Sequence, residues 1–215
     1  MAPLLIFDLD GTLIDSRLDL ANAVNATRAE WHRGALPHEL IFSYVGNGAP
    51  VLIQRAMGPQ ATGDEVAGAL EFFMDYYRHH ALDDTVLYPG VREGLDRLHA
   101  AGAKLAVLTN KPVRISKRIV DGLGIAHLFR QVYGGNSFEH KKPHSIGIDT
   151  LRAELEAQDA ETWMVGDSYV DVQTARNAGV GACGVTWGFQ PETFLEFPPD
   201  LLIETLDQFA DRFAR

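Results

Sequence analysis

The sequence predicts an α/β protein: a doubly wound, Rossmann-like parallel sheet with an α-helical domain inserted after the first strand. Three observations carry this. Leu4-Leu5-Ile6-Phe7 is a run of large apolar residues without alternation, the mark of a strand covered on both faces. Residues 15–84 show helical spacing and no strand pattern. From Tyr88 onward, strand and helix patterns alternate, which builds a parallel sheet with helices on both faces. The expected organisation is a core of residues 1–14 and 85–215 and a helical insertion of residues 15–84, hinged near 13–15 and 83–88.

Each element follows from local chemistry. Asp15-Ser16 offers N-cap residues for a helix over 17–31, with Leu20, Ala23, Val24 and Trp31 near helical spacing. Gly34 and Pro37 end it. A short helix over 38–44 stops at Gly46-Asn47-Gly48, and another over 50–57 stops at Gly58-Pro59. The longest helix, 64–80, carries the stripe Val66, Leu70, Phe73 and Tyr77. Helices are then expected over 91–101, 113–121, 144–156, 170–178 and 206–213. Strands are expected over 105–108, 131–133, 162–165, 182–186 and 201–203.

Composition narrows the function classes. With 215 residues, 46% of them hydrophobic, the chain can bury one good core plus a smaller insertion. A formal charge of −10 argues against nucleic acid and anionic membrane surfaces as partners. It does not forbid an anionic substrate, because a bound metal ion reverses the sign locally. The single cysteine, Cys183, allows no internal disulfide, which fits a reducing compartment. There is no signal-peptide pattern and no apolar run long enough to span a membrane, so the expected address is the cytoplasm. Nothing in the sequence chooses between monomer and homodimer.

The chemistry gathers at the strand ends. In a doubly wound sheet the carboxyl ends of the strands share one edge, where ligands bind. The first strand runs into Asp8 and Asp10, and residues two apart in extended chain point the same way. Two carboxylates held this close are stable only if a cation binds, a proton is shared or water screens both. The second strand ends in Thr109-Asn110. Past the third comes Lys141-Lys142-Pro143-His144, and the fourth ends in Gly166-Asp167-Ser168 with Asp171 beyond. Carboxylate oxygens suit Mg²⁺, and the hydroxyl, amide and ammonium suit phosphate oxygens. Phosphoryl transfer needs this set of parts.

Asp8-Leu9-Asp10-Gly11-Thr12, Thr109, Lys142 and Gly166-Asp167-Ser168-Tyr169-Val170-Asp171 resemble the four ordered motifs of the haloacid dehalogenase-like hydrolase superfamily. The resemblance covers essentially the whole chain, and the insertion is similar to that superfamily's helical cap. The second aspartate of the first motif resembles the phosphatase branch. Val45-Gly46-Asn47-Gly48, Tyr88-Pro89-Gly90-Val91 and Gly134-Gly135-Asn136-Ser137-Phe138 resemble the phosphoglycolate phosphatase-like group. Two positions depart from the pattern: Ser145 stands where a second proline is expected, and Asn136 where relatives often carry Asp.

The resemblance implies a Mg²⁺-dependent hydrolase of a small phosphate ester, 2-phosphoglycolate or something similar. Asp8 would be the nucleophile that carries an aspartyl-phosphate, and Asp10 the general acid and base. Asp8, Asp10 through its backbone carbonyl, and Asp167 would hold the metal, with Asp171 acting directly or through a water. Thr109, Asn110 and Lys142 would bind the phosphoryl group, with Lys141 a second candidate for the lysine's role. The nearest alternative is the same chemistry on pyrophosphate or another sugar phosphate, or a phosphomutase. A non-enzymatic phospho-acceptor signalling domain is more remote, because such receiver domains split their acidic pair and acceptor aspartate between strands and lack an inserted cap. The remaining conspicuous residues have structural readings. The three tryptophans and Cys183 read as packing, and His79-His80 as cations suited to a helix C-terminus. Arg55 reads as an exposed helical arginine or a contact to the substrate's non-phosphate end. Gly46-Asn47-Gly48 reads as a helix separator or a loop over the substrate.

Overall fold

The computed structural model describes residues 2–213. The chain forms two units, one from the residues up to Ile14 and from Leu87 onward, the other from Asp15–Val86. The first unit begins with β1 (Leu4–Phe7), whose four side chains are all fully buried. The chain leaves through β2 (Ile14–Asp15) and returns through β3 (Val86–Leu87), and these two short strands pair with each other. The second unit ends within β3, at Val86. Strands of two residues have no periodicity to read, so neither was expected.

The helical unit contains α1 (Arg17–Glu30), α2 (His38–Phe42), α3 (Ala49–Met57) and α4 (Gly63–His80). Helix α4 starts at a capping box: Thr62 Oγ1 accepts from the Glu65 N–H at 3.2 Å, and the Glu65 carboxylate accepts from the Thr62 N–H at 2.8 Å. Its buried face is Ala69, Phe73 and Tyr77, while Val66 and Leu70 are half-buried flanks of that face. Trp31 packs edge-on against Phe72 at 6.1 Å, as a packing tryptophan should. Ser16 stands at the N-cap of α1 without a side-chain bond to the helix. The first turn is anchored instead by buried Asp19. Its carboxylate accepts from the N–H groups of Asp84 and Thr85, both at 2.9 Å, and from the Thr85 hydroxyl at 2.6 Å.

The first unit continues with α5 (Val91–Ala100), β4 (Lys104–Leu108), α6 (Val113–Gly122), β5 (Phe129–Tyr133), α7 (Ile146–Glu154), β6 (Thr162–Gly166), α8 (Tyr169–Asn177), β7 (Gly181–Val185), β8 (Leu201–Ile203) and α9 (Leu206–Phe213). Helix α7 begins later than the sequence suggests, because the His144 N–H closes a turn onto the Lys141 carbonyl at 3.0 Å. Six strands form a parallel sheet in the order β5-β4-β1-β6-β7-β8. Side chains alternate between its faces. Leu4, Ile6, Ala106, Leu108 and Met164 pack with Ile148 and Leu151 of α7 and Val172 and Ala175 of α8. Trp163, of opposite parity to Met164, meets Phe209 of α9 at 6.0 Å on the other face. Helices therefore cover both faces, and β1 can be apolar throughout.

Strand order reverses around β1. Phe7 is level with Val107 of β4 and Val165 of β6, so three strands end together there. Open α/β sheets bind ligands at this point. Among the described residues, no helix is long and apolar enough to cross a membrane.

Candidate active site

Asp8 continues the ladder beyond β1, its N–H donating to the Val165 carbonyl at 2.9 Å. The chain then turns tightly: the Leu9 carbonyl accepts from the N–H groups of Leu13 at 3.0 Å and Ile14 at 3.1 Å, and Gly11 sits at φ +80°. The Asp8 carboxylate accepts from the Leu9 N–H at 2.7 Å and hydrogen-bonds the Thr109 hydroxyl. Thr109 leaves β4 with its N–H on the Tyr133 carbonyl at 3.1 Å.

Of the two adjacent lysines, Lys141 is exposed and Lys142 is buried. The Lys142 ammonium lies 2.6 Å from Asp171 and 3.0 Å from Asp8. Burial works against its charge, but Asp171 and Asp8 more than compensate and hold its pKa above the ordinary value. Asn110 donates its side-chain amide to the Lys142 carbonyl at 3.2 Å, so it fixes the loop that delivers this ammonium.

Asp171 forms a capping box at the start of α8. Its carboxylate accepts from the Ser168 N–H at 3.2 Å and the Ser168 hydroxyl at 3.0 Å. Asp167 leaves β6 and accepts from the Phe189 N–H at 2.6 Å. Asp8, Asp167 and Asp171 thus converge, with carboxylate oxygens within 4.8 Å of one another. The consequence is electrostatic. Burial pushes the Asp8 pKa up to about 6, with Lys142 opposing and Asp171 adding to the rise. Burial, then Asp171, then Asp8 push Asp167 well above the usual carboxylate range.

This donor set fits a hard dication. The three converging groups are carboxylates, without histidine or thiolate, as Mg²⁺ prefers. The room around them depends on missing side chains: a Cβ at Gly11 would lie 2.2 Å from Asp167 Oδ2, and one at Gly188 2.7 Å from the same atom. Asp10 lies outside this cluster. Its carboxylate is held by Lys111, whose Nζ lies 2.9 and 3.0 Å from the two oxygens.

Lys111 did not emerge from the sequence, although a lysine directly after the strand-end pair Thr109-Asn110 was a visible signal. The stretch Trp187-Gly188-Phe189 after β7 was also missed. Trp187 donates its indole N–H to the Thr12 carbonyl at 3.1 Å, so this tryptophan braces the loop after β1. A Gly between two aromatics at a strand end was the available clue. The other conspicuous side chains have partners or surroundings of their own. The His80 ring pairs with Asp83 at 2.7 Å, Arg55 reaches the Tyr44 carbonyl at 3.4 Å, and burial pushes the Cys183 thiol up to about 12.

Comparison with known proteins agrees with this arrangement. The model of the haloacid dehalogenase-like hydrolase family matches residues 5–185. A phosphoglycolate phosphatase of Vibrio vulnificus (strain CMCP6) is 41% identical over 216 residues, covering 97% of this chain and 94% of that protein. One from Colwellia psychrerythraea is 37% identical over 211 residues, covering 95% and 93%. The crystal structure of a predicted phosphoglycolate phosphatase from Haemophilus somnus 129pt superposes with a TM-score of 0.91 at 32% identity, covering 97% of this chain and 96% of that one. With its acidic strand ends, its buried lysine and this kinship across nearly its whole length, the chain belongs to the haloacid dehalogenase-like hydrolases, in their phosphoglycolate phosphatase-like group.

Proposed function

We propose that this phosphatase is Mg²⁺-dependent, works through an aspartyl-phosphate on Asp8, and acts on 2-phosphoglycolate. The division of the carboxylates carries the mechanism. Asp8 has the Thr109 hydroxyl and the Lys142 ammonium at 3.0 Å, with Asp167 and Asp171 beside it, while Asp10 is held separately by Lys111. A nucleophile and an acid/base need such different surroundings. The names of the relatives support the substrate.

Asp8 attacks phosphorus, and Asp10 gives a proton to the departing ester oxygen. Asp10 then takes a proton from the water that cleaves the acyl phosphate. The Thr109 hydroxyl and the Lys142 ammonium receive the phosphoryl oxygens, and Asn110 keeps the lysine loop in register. Asp8, Asp167, the Asp10 backbone carbonyl and Asp171, directly or through a water, would hold Mg²⁺. When bound, Mg²⁺ supplies the positive charge that lets an anionic nucleophile approach an anionic phosphate. In this reading the helical unit is the counterpart of the family's cap domain. Cytoplasmic residence fits the single buried thiol.

Phosphate release from a panel of small phosphomonoesters and pyrophosphate, with Mg²⁺ or EDTA, tests this reading. Strong preference for 2-phosphoglycolate, abolished by EDTA, supports it. Preference for pyrophosphate, or isomerisation of a sugar phosphate without release, overturns the substrate.

A further inference from the structure

The geometry points to Lys111 as the residue that selects the substrate: its ammonium binds a carboxylate on the carbon that bears the ester oxygen. The substrate class is then a short α-phospho carboxylate rather than a simple alkyl phosphate. This deepens the reading above and rests on its assignment of Asp8 and Asp10.

Lys111 is delivered with little freedom. Its N–H donates to Thr109 Oγ1 at 3.3 Å, and its carbonyl accepts from the Gly135 N–H at 2.9 Å. The loop after β5 presses on this segment so closely that a Cβ at Gly134 would lie 2.5 Å from the Lys111 carbonyl oxygen. The side chain is 3% exposed, yet its ammonium reaches both oxygens of Asp10, which is 14% exposed. Burying an ammonium is costly, and one carboxylate that keeps some contact with water offsets that cost only in part. A structural counter-ion therefore explains the arrangement poorly, whereas a cation aimed at the reacting ester explains it well.

The position fixes what the cation meets. The ester oxygen must come within hydrogen-bond reach of the Asp10 carboxyl to receive its proton. A carboxylate on the adjoining carbon follows within ordinary bond lengths, beside the ammonium that straddles Asp10. Lysine suits this place because it is a compact charge with donors that rotate toward more than one acceptor. Lys142 is committed to Asp8 and Asp171 and cannot take this part. A simple alkyl phosphate brings no second anion to the ammonium beside Asp10, and sites built for a polar group discriminate strongly against ligands lacking it.

The test compares kcat/KM for 2-phosphoglycolate and ethyl phosphate in the wild type, Lys111→Met and Lys111→Gln, with Lys111→Arg as the charge-retaining control. Both esters lose rate in the neutral variants, because Asp10 loses its partner. The ratio between them falls by about tenfold to a hundredfold, as loss of a charged hydrogen bond requires, and Lys111→Arg restores part of it. The glutamine variant can still donate to Asp10, so it answers the question if Lys111→Met does not fold. An unchanged ratio in the folded variants overturns the proposal and makes Lys111 a positioning residue for Asp10 alone. A wild type without preference for 2-phosphoglycolate overturns the substrate reading itself, before any variant is compared.

Discussion

The backbone N–H of Phe189 donates to the Asp167 carboxylate at 2.6 Å, although 22 positions separate the two residues. The loop after β7 thereby aims a carboxylate that leaves β6. Gly188 makes the approach possible, since a Cβ there would lie 2.1 Å from Asp167 Cβ and 2.7 Å from the Gly11 carbonyl oxygen. Replacing Gly188 with Ala should turn Asp167 away and weaken Mg²⁺ binding by about tenfold to a hundredfold, the usual effect of losing a supporting partner of a metal ligand. Isothermal titration with Mg²⁺ alone reads this, and unchanged affinity would show that the loop does not orient Asp167.

The acidic cluster also sets a pH dependence. In the folded protein burial raises the Asp8 pKa to about 6, against an ordinary value of 3.8. Between those values the folded state binds more protons than the unfolded chain, so this group's contribution to stability falls as pH rises, by on the order of 2–3 kcal/mol in all. A cation must displace those protons, so its stabilising effect grows through the same window. The melting temperature gained from Mg²⁺ over EDTA should be small at about pH 5 and large at about pH 7.5. A gain independent of pH would contradict the site.

How much of this was legible beforehand depends on the range of the signal. The strand ends were readable because Leu4-Leu5-Ile6-Phe7 announces a buried strand, and Asp8, Asp10, Thr109 and Asp167 follow strands directly. The helical insertion was readable from its periodicity. What escaped depends on contacts between segments far apart in sequence. Lys111 acquires its meaning by meeting Asp10, and Gly188 by meeting Asp167, and neither contact leaves a local pattern. The choice of Lys142 over Lys141 is of the same kind, since only the fold decides which of two neighbours is buried.

Lys142 is the cation buried beside Asp8 and Asp171. In EDTA, Lys142→Met leaves those carboxylates without it and should cost about 3 kcal/mol of stability, as breaking a buried pair does. Urea unfolding measures the loss, which should shrink below about pH 6 as Asp8 takes up a proton. A variant as stable as the wild type at neutral pH would show that Lys142 does not hold the cluster together.

Asp19 ties the first turn of α1 to the return crossing through three hydrogen bonds. Asp19→Ala leaves two backbone N–H groups without this acceptor and should destabilise by about 2–4 kcal/mol. Hydrogen exchange should speed up most at the amides of Asp84 and Thr85. Unchanged protection there would mean that the crossing is held by other contacts.

The account turns on Asp8 as the covalent centre. The most direct measurement is peptide mapping of enzyme quenched in acid during Mg²⁺-dependent turnover of 2-phosphoglycolate, with Asp8→Asn in parallel. The account predicts a phosphoryl group on the peptide that contains Asp8 in the wild type, absent in Asp8→Asn together with turnover. An Asp8→Asn enzyme that keeps full metal-dependent turnover, or a phosphoryl group on a peptide without Asp8, would contradict it.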